Sequence, residues 1–207
     1  MQRLSASTPP SELQPTPGRR FAAIDFETAD NGRDSACALA VIVVDNLEIV
    51  HRACYLIRPP RRSFLYTYIH GIEWKHVADQ PEFADVWAKV SPLLDGVEFL
   101  AAHSASFDRS VLYQCCHAAG LSWPELPFQC TVKLARQSWG LKPTTLPDVC
   151  RHLGIALRHH EAESDATACA QIVIAARRQG VPLSPFLGKY SGALSRKADA
   201  TLDIRAF

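Results

Sequence analysis

Two acidic residues, Asp25 and Glu27, interrupt the first apolar segment of this sequence. The segment 21–28 is typical of a β-strand, and side chains two residues apart on a strand point to the same face, with about 6.6 Å of rise between them. Two carboxylates on one face can hold a pair of divalent cations roughly 3.5–4 Å apart, as enzymes that act on phosphodiester bonds do. A strand with one solvent-facing side shows the same pattern, so the pair alone is a weak indication.

Two further acidic residues, Asp108 and Asp165, stand in the first turns of predicted helices, which we expect to be capped by Ser106 and Ser164. An acidic residue in a first helical turn complements the helix dipole by about 0.3–1 kcal/mol and is common there without any catalytic role. Each of these positions, taken singly, therefore has a purely structural explanation.

A pair of histidines, His159 and His160, precedes the last acidic residue in a polar loop. A neutral imidazole, with an ordinary pKa near 6.5, can accept a proton from water at neutral pH. A loop directly before a metal-binding carboxylate would bring such a ring close to that water. A surface histidine pair without any role is the competing interpretation.

The predicted elements around these residues indicate an α/β domain. Apolar runs and turn residues predict three successive strands at 21–28, 36–44 and 48–57. Helical spacing and short apolar runs then predict a helix at 82–94, a strand at 97–102, a helix at 106–119, a strand at 126–130 and helices at 146–153 and 164–179. A meander followed by alternating strands and helices implies a mixed sheet with helices packed on it.

Length and composition indicate one folded domain with two tails. The chain has 207 residues, of which 47% are hydrophobic and 21% charged, as in ordinary globular domains. We expect a disordered arm at 1–19, a folded domain at 20–187 and a polar tail at 188–207. The longest apolar run, 38–44, is far shorter than the roughly 20 residues of a membrane-spanning helix, and no secretory signal is apparent. We therefore expect a cytoplasmic protein with no membrane partner.

The seven cysteines are odd in number and scattered through apolar segments, so we interpret them as reduced core residues and expect no structural zinc site. The net charge is +1, but residues 1–20 and residues 188–207 each carry +2, which leaves 15 basic and 18 acidic residues in 21–187. An acidic body binds phosphates poorly unless divalent cations occupy some of its carboxylates. Two such ions would bring the body from −3 to +1.

The candidate residues form an ordered set that resembles a known superfamily. The set consists of Asp25-Phe26-Glu27-Thr28, then His103-Ser-Ala-Ser-Phe107-Asp108, then His160 followed at the fifth position by Asp165. It is similar to the histidine-containing branch of the DEDD 3′–5′ exonucleases, which includes the proofreading epsilon subunit of bacterial DNA polymerase III and ribonuclease T. The resemblance covers about 21–180 and implies a ribonuclease H-like α/β fold, with a mixed, mostly five-stranded sheet flanked by helices.

The resemblance also implies a role for each member of the set. Asp25, Glu27, Asp108 and Asp165 would bind two Mg²⁺ or Mn²⁺ ions, and the five-residue spacing selects His160 over His159 as the general base. The residues expected to contact substrate are Thr28, His70, Ile72, His103 and Phe107. The family usually has asparagine after the motif histidine, where this chain has Ser104.

From the resemblance we expect a divalent-metal-dependent exonuclease that removes nucleotides from the 3′ end of single-stranded nucleic acid and releases 5′-mononucleotides. We expect its substrate to be DNA rather than RNA. It would act in repair or proofreading, with a DNA polymerase or repair proteins as possible partners. One alternative is an RNA-processing exoribonuclease of the ribonuclease T or oligoribonuclease kind, because no residue here identifies a contact to the 2′-hydroxyl. The other is a nucleic-acid-binding module without turnover.

The segment 58–74 is the densest basic and aromatic stretch of the chain. Its members are Arg58, Arg61, Arg62, Phe64, Tyr66, Tyr68 and Trp74. Aromatic faces stack unpaired bases and arginines follow phosphates, so this segment is one candidate for a single-strand groove. The alternative is a loop that covers the sheet and packs its aromatic side chains into the core.

Overall fold

The computed structural model describes residues 20–185, so the expected arm at 1–19 and tail at 188–207 lie outside the described residues. Its strands are β1 (Arg20–Thr28), β2 (Ala36–Asp45), β3 (Glu48–Leu56), β4 (Leu100–Ala102) and β5 (Phe128–Cys130). They form one mixed sheet in the order β3-β2-β1-β4-β5, in which β1–β3 are antiparallel and β4 and β5 run parallel to β1. The predicted mixed, five-stranded α/β architecture is confirmed.

The central strand β1 has different neighbours on its two sides. It pairs with β2 along its whole length, from Arg20 to Thr28. On the other side it pairs with β4 only at Ala22 and Ala23. The carboxyl-terminal half of β1 therefore extends beyond its parallel neighbour, and ligands of open α/β sheets bind in the crevice at this end of the strands.

The helices are α1 (Thr67–His70), α2 (Trp74–Val77), α3 (Phe83–Val90), α4 (Ser106–Ala118), α5 (Thr131–Trp139), α6 (Leu146–Leu153) and α7 (Ala162–Arg178). The first two and α5 are additions to the sequence-based elements. The predicted helix at 82–94 is α-helical only to Val90 and continues as a 3₁₀ turn over Ser91–Leu94. Pro92 accounts for the change, because proline lacks the N–H that an α-helix needs in its interior.

The expected serine caps were wrong for both acid-bearing helices. Ser106 is the first residue of α4, whose N-cap is Ala105. Helix α7 begins two residues earlier than predicted, with Glu161 as its N-cap. The Ser164 hydroxyl instead accepts the backbone N–H of Arg158 at 2.8 Å, which ties the preceding loop to the helix.

Two hydrophobic clusters cover the two faces of the sheet. One contains Ile24 and Leu112 and includes residues of α3 and α4. The other contains Ala23 and Ile172 and includes residues of α5, α6 and α7. The seven cysteines are free thiols, and six are buried as expected, whereas Cys54 is exposed on β3. None of the helices in the described part of the chain is both long and apolar enough to cross a membrane.

Helix α7 packs on β1 and β2 through small side chains. Ala168 and Ala170 of the helix share a buried cluster with Ala23, Ala38 and Ala40 of the sheet. Small side chains at such a contact allow close approach of helix and sheet, because protein interiors are packed without spare volume. The first turn of α7 is thereby held close to the strand that carries Asp25.

We expect Ala170→Leu to lower the free energy of unfolding by about 1–3 kcal/mol, because the fully buried site has no room for three more carbon atoms. Urea unfolding monitored by circular dichroism measures the change. Ala175→Leu is the matched control, since Ala175 lies on the same helix but is only partly buried. Equal stability of the two variants would contradict the close-packing argument.

Candidate active site

The carboxyl end of β1 opens into a cavity of about 1030 Å³. The predicted site residues that line it are Asp25, Glu27, Thr28, His70, His103, Phe107, Asp108, His160 and Asp165. These side chains come from β1, α1, the β4–α4 turn, α4, the α6–α7 loop and α7. The fold therefore assembles in one place residues that are up to 140 positions apart in the sequence.

The four acidic residues reach the cavity from three elements. Asp25 and Glu27 lie on β1 and are partly exposed, whereas Asp108 on α4 and Asp165 on α7 are buried. Asp108 Oδ1 accepts the backbone N–H of Phe26 at 3.2 Å. That N–H lies in the part of β1 that extends beyond the pairing with β4, so the carboxylate of α4 replaces a strand partner and sits directly beside Asp25 and Glu27.

The acidic residues make one another harder to ionise. Burial, followed by the charges of Asp108 and Asp165, raises the pKa of Asp25 well above its usual value. Burial and the charges of the same two residues raise the pKa of Glu27 to about 8. Burial also raises the pKa of Asp108 to about 7, although the Phe26 N–H and the charge of Arg33 act in the opposite direction. The carboxylates therefore need positive charge among them to be ionised together.

The donor set fits a divalent cation. Oxygen ligands from carboxylates are what Mg²⁺ and Mn²⁺ prefer. Asp165 Oδ1 is buried and has no hydrogen-bond partner among residues 20–185, which is costly for an ionised oxygen unless a cation is bound. Asp165 Oδ2, by contrast, already accepts two hydrogen bonds from the preceding loop.

The two histidines of that loop both contact Asp165. His159 Nδ1 lies 2.9 Å from Asp165 Oδ2, and the backbone N–H of His160 donates to the same oxygen at 3.1 Å. The two rings stack with their centroids 3.8 Å apart. The ring of His159 is thus engaged with the carboxylate, whereas His160 binds it only through its backbone.

The backbone of His160 adopts a left-handed conformation, with φ of +69°. This conformation is rare for residues other than glycine and costs on the order of 1 kcal/mol. Burial, and then the charge of His159, lowers the pKa of His160, so its ring is neutral at neutral pH. A neutral ring at the cavity wall has the protonation state that a general base requires.

Two predicted substrate contacts, Thr28 and His70, are linked to each other. His70 Nε2 lies 3.2 Å from the carbonyl oxygen of Thr28, and His70 Nδ1 accepts the backbone N–H of Ile72 at 3.0 Å. His70 Nε2 is therefore the protonated nitrogen. The ring holds α1 against the end of β1, and both residues line the cavity.

Ile72 differs from the expectation. It packs against the core cluster that includes α7 and is absent from the cavity wall, which Ile69 lines instead. Gly71, between His70 and Ile72, ends α1 with φ of +74° and reverses the direction of the chain. Ile72 therefore does not belong to the set of substrate contacts that we propose.

His103 lines the cavity but uses both ring nitrogens within the protein. Its Nδ1 lies 2.8 Å from Thr131 Oγ1 and its Nε2 lies 3.0 Å from the Thr144 carbonyl oxygen. Burial lowers the pKa of His103 to about 4, so the ring is neutral. It joins the β4–α4 turn to α5 and to the loop before α6, and only its carbon edge or face is left for substrate.

The residue after His103 has a strained backbone. Ser104 has φ of +59°, in the left-handed region. Its carbonyl oxygen accepts the N–H of Phe107 at 2.9 Å, which closes the turn that carries Phe107 and Asp108. Asparagine tolerates this conformation better than serine, which supplies a physical reason for the asparagine that is usual at this position in the family.

The basic and aromatic segment 58–74 contributes less to the cavity than one interpretation expected. Arg58 pairs with Glu82, and Arg62 lies over the ring of Trp74. Arg61 binds Asp30 and Asp34 together, through four contacts of 2.6–3.1 Å. Of the seven basic and aromatic residues named in this segment, Tyr66 alone lines the cavity. The segment thus acts mainly as a brace for the β1–β2 loop.

Several residues of the cavity wall were not identified from the sequence. They are Asn31 and Arg33 of the β1–β2 loop, Ile69 of α1, Arg136 of α5, and Lys142, Pro143 and Thr144 of the loop after α5. Except for Ile69, which directly precedes His70, none of them lies next to a residue of the predicted site. The sequence offered one signal for part of this wall. Gly140 marks the end of a helix at 131–139, and its φ is +63°.

The fold and the site define a ribonuclease H-like nuclease of the DEDD type with a histidine. The chain matches the model of the exonuclease family over residues 22–173 and belongs to that family. Its DEDDh members are divalent-metal-dependent 3′–5′ exonucleases. The family expected from the motifs is therefore confirmed.

Two curated relatives illustrate the similarity. Exodeoxyribonuclease 10 of Escherichia coli K12 is 35% identical over 160 residues, which cover 73% of this chain and 66% of that protein. The 3′-5′ exonuclease DinG of Bacillus subtilis 168 is 30% identical over 164 residues, which cover 75% of this chain and 17% of that protein. The chain thus spans about two thirds of one relative and about one sixth of the other.

Solved structures show the same fold. Exonuclease X, in complex with 5′ overhanging duplex DNA, is 28% identical with a TM-score of 0.60, and the match covers 78% of this chain and 94% of that one. The nuclease domain of 3′hExo, a DEDDh family member bound to rAMP, has a TM-score of 0.71 at 19% identity and covers 82% and 97% of the two chains. The second likeness concerns the fold alone.

We expect Ser104→Asn to raise the free energy of unfolding by roughly 0.5–1 kcal/mol, because asparagine adopts a positive φ at lower cost. Thermal unfolding measures the change. Ser106→Asn is the control, since Ser106 is exposed at a helical position where asparagine has no such advantage. A Ser104→Asn midpoint at or below that of the unaltered chain would contradict the strain.

We expect Glu27→Gln to stabilise the metal-free protein above neutral pH. The folded pKa of about 8 exceeds the ordinary 4.5, so the carboxyl group lowers the stability of the unaltered chain as pH rises between these values. Urea unfolding in EDTA across this range should show the two proteins converging toward pH 4.5 and separating toward pH 8. Excess Mg²⁺ should favour the unaltered chain, because binding to the folded state stabilises it.

The exposed Glu125→Gln serves as the control for this carboxyl-to-amide change. If the free energy of unfolding has the same pH dependence in the unaltered chain and in Glu27→Gln, the raised pKa of Glu27 is contradicted.

Proposed function

We propose that this protein is a two-metal 3′–5′ exonuclease that acts on single-stranded DNA ends and releases 5′-mononucleotides. The observation that carries the proposal is the convergence of four carboxylates and a neutral histidine in one open cavity. Exodeoxyribonuclease 10, at 35% identity, and the DNA-bound exonuclease X support DNA as the substrate. A role in repair or proofreading, with a polymerase or repair proteins as partners, belongs to the same proposal.

The acidic residues would hold the metal ions. Asp25, Glu27, Asp108 and Asp165 supply the oxygen ligands, and the buried Oδ1 of Asp165 is available for this purpose. Bound divalent cations would stabilise the charge that develops at phosphorus during in-line displacement and make water more acidic. Because the acidic residues are anchored to a strand and two helices, the cavity would keep its geometry during turnover.

His160 would remove the proton from the attacking water at a ring nitrogen. Its neutral state permits this, and its backbone bond to Asp165 keeps the ring beside the carboxylates. His159 would orient Asp165 through Nδ1. Thr28, His70 and Phe107 would contact the terminal nucleotide, while the ring of His103 would hold its turn in place through Thr131 and Thr144.

The test compares 5′-labelled single-stranded DNA and RNA of one sequence, in Mg²⁺, Mn²⁺ or EDTA. We expect a ladder that shortens from the 3′ end, requires metal, runs faster on DNA and disappears in Asp165→Ala. His160→Gln should lose about 10²–10⁴-fold in kcat, the usual contribution of a general base. His159→Gln is the matched control and should lose less, because its ring only positions Asp165.

Each other outcome has a definite meaning. Faster cleavage of RNA would favour an exoribonuclease. Binding of both strands without cleavage in any metal would favour a binding module. A larger loss in His159→Gln than in His160→Gln would exchange the roles of the two rings.

A further inference from the structure

Arg33 is a cation of the cavity wall that the proposed mechanism does not use. It lies on the β1–β2 loop, is exposed and lines the cavity. Its guanidinium carbon lies 4.3 Å from the centroid of the Phe107 ring. Within residues 20–185 the guanidinium forms no hydrogen bond or ion pair, whereas Arg58, Arg61 and Arg151 each bind a carboxylate.

The loop that carries Arg33 is held rigidly. The carbonyl oxygen of Arg33 accepts the Cys115 thiol of α4 at 3.6 Å, and the N–H of Gly32 donates to Asp30 Oδ1 at 2.7 Å. A Cβ atom at Gly32 would overlap Arg61 Nη2, so a side chain there would displace the guanidinium that binds Asp30 and Asp34. The position of Arg33 is therefore prepared before substrate binds, which lowers the cost of binding.

The charges around Arg33 leave it available to an anion. Asp30, the acidic residue of its own loop that lines the cavity, is already bound by Arg61. Arg33 is close enough to the candidate metal ligands to act on the charge of Asp108. A guanidinium has five N–H donors in a planar fork that fits a phosphate group, and stacking on an aromatic ring leaves those in-plane donors free.

We propose that Arg33 binds a phosphate group of the nucleic acid, at one of the linkages next to the 3′-terminal nucleotide, while it stacks on Phe107. This inference rests on the proposed function, because it assigns part of the substrate site. It explains why an arginine without a hydrogen-bond partner among residues 20–185 stands close to Asp108. Arg33 is a binding residue in this scheme and takes no part in proton transfer.

The test measures binding, so that it does not depend on turnover. The protein is titrated into a fluorescently labelled single-stranded DNA oligonucleotide with a free 3′ end, in Ca²⁺, and binding is followed by fluorescence anisotropy. A gel shows that the DNA stays intact. Arg33→Gln should weaken binding by about 10-fold or more, and should reduce the slope of log affinity against log salt by about 0.7, the value for one phosphate contact on a single strand. Arg33→Lys should keep the slope and recover part of the affinity.

Arg62→Gln is the matched control. Arg62 also lies over an aromatic ring, at 5.1 Å from the centroid of Trp74, and is also exposed, but it is not part of the cavity wall. The same change of charge should leave both the affinity and the slope as they are. An equal loss in the two variants would show a general charge effect and overturn the assignment.

A second measurement locates the contact. In a series of DNA oligonucleotides, one phosphate linkage near the 3′ end at a time is replaced by a neutral methylphosphonate. At the linkage that Arg33 contacts, this replacement should weaken DNA binding by the unaltered chain much more than DNA binding by Arg33→Gln. Additive losses at every linkage would overturn the proposal. If the unaltered chain cleaves DNA and Arg33→Gln binds DNA with the same affinity as the unaltered chain, only this inference fails. If the unaltered chain binds neither DNA nor RNA, the proposed function fails with it.

Discussion

Mutual repulsion among four carboxylates at the end of β1 is the constraint on which the rest of the site depends. Burial and like charge oppose ionisation of Asp25, Glu27 and Asp108, so the fold must hold these groups in place against their own electrostatics. It does so by anchoring them to a central strand and two packed helices. Such an arrangement costs stability in the metal-free protein, and divalent cations bound among the carboxylates would offset that cost.

Polar side chains around the acidic residues mainly connect neighbouring segments through hydrogen bonds. The ring of His103 joins three segments, the ring of His70 links α1 to β1, and Arg61 closes the β1–β2 loop on itself. Each of these groups is satisfied by partners within the protein. By contrast, Asp165 Oδ1 and the Arg33 guanidinium, at the cavity, have no hydrogen-bond partner among residues 20–185.

Of the four non-glycine residues with positive φ in residues 20–185, two lie where the chain turns into the site and two, Asn46 and Leu47, form the β2–β3 turn. Ser104 and His160 both have positive φ, and each directly follows a histidine whose ring nitrogen is bound to another element. These two turns present Asp108 and Asp165 to the same cavity from different helices. Backbone strain next to functional side chains is the usual consequence of fixing a geometry that local preferences alone would not choose.

The sequence by itself determined the sheet class, the three motifs and the family, because alternation of apolar residues and the spacing of acidic residues are local properties of the chain. It failed at the serine caps, at α5 and at the place of Ile72, where neighbouring elements decide the local conformation. Only the tertiary structure brought Arg33 onto Phe107 and showed that the ring of His159, and not that of His160, contacts Asp165. Such contacts join residues far apart in sequence or depend on a single backbone angle, and no local pattern records either.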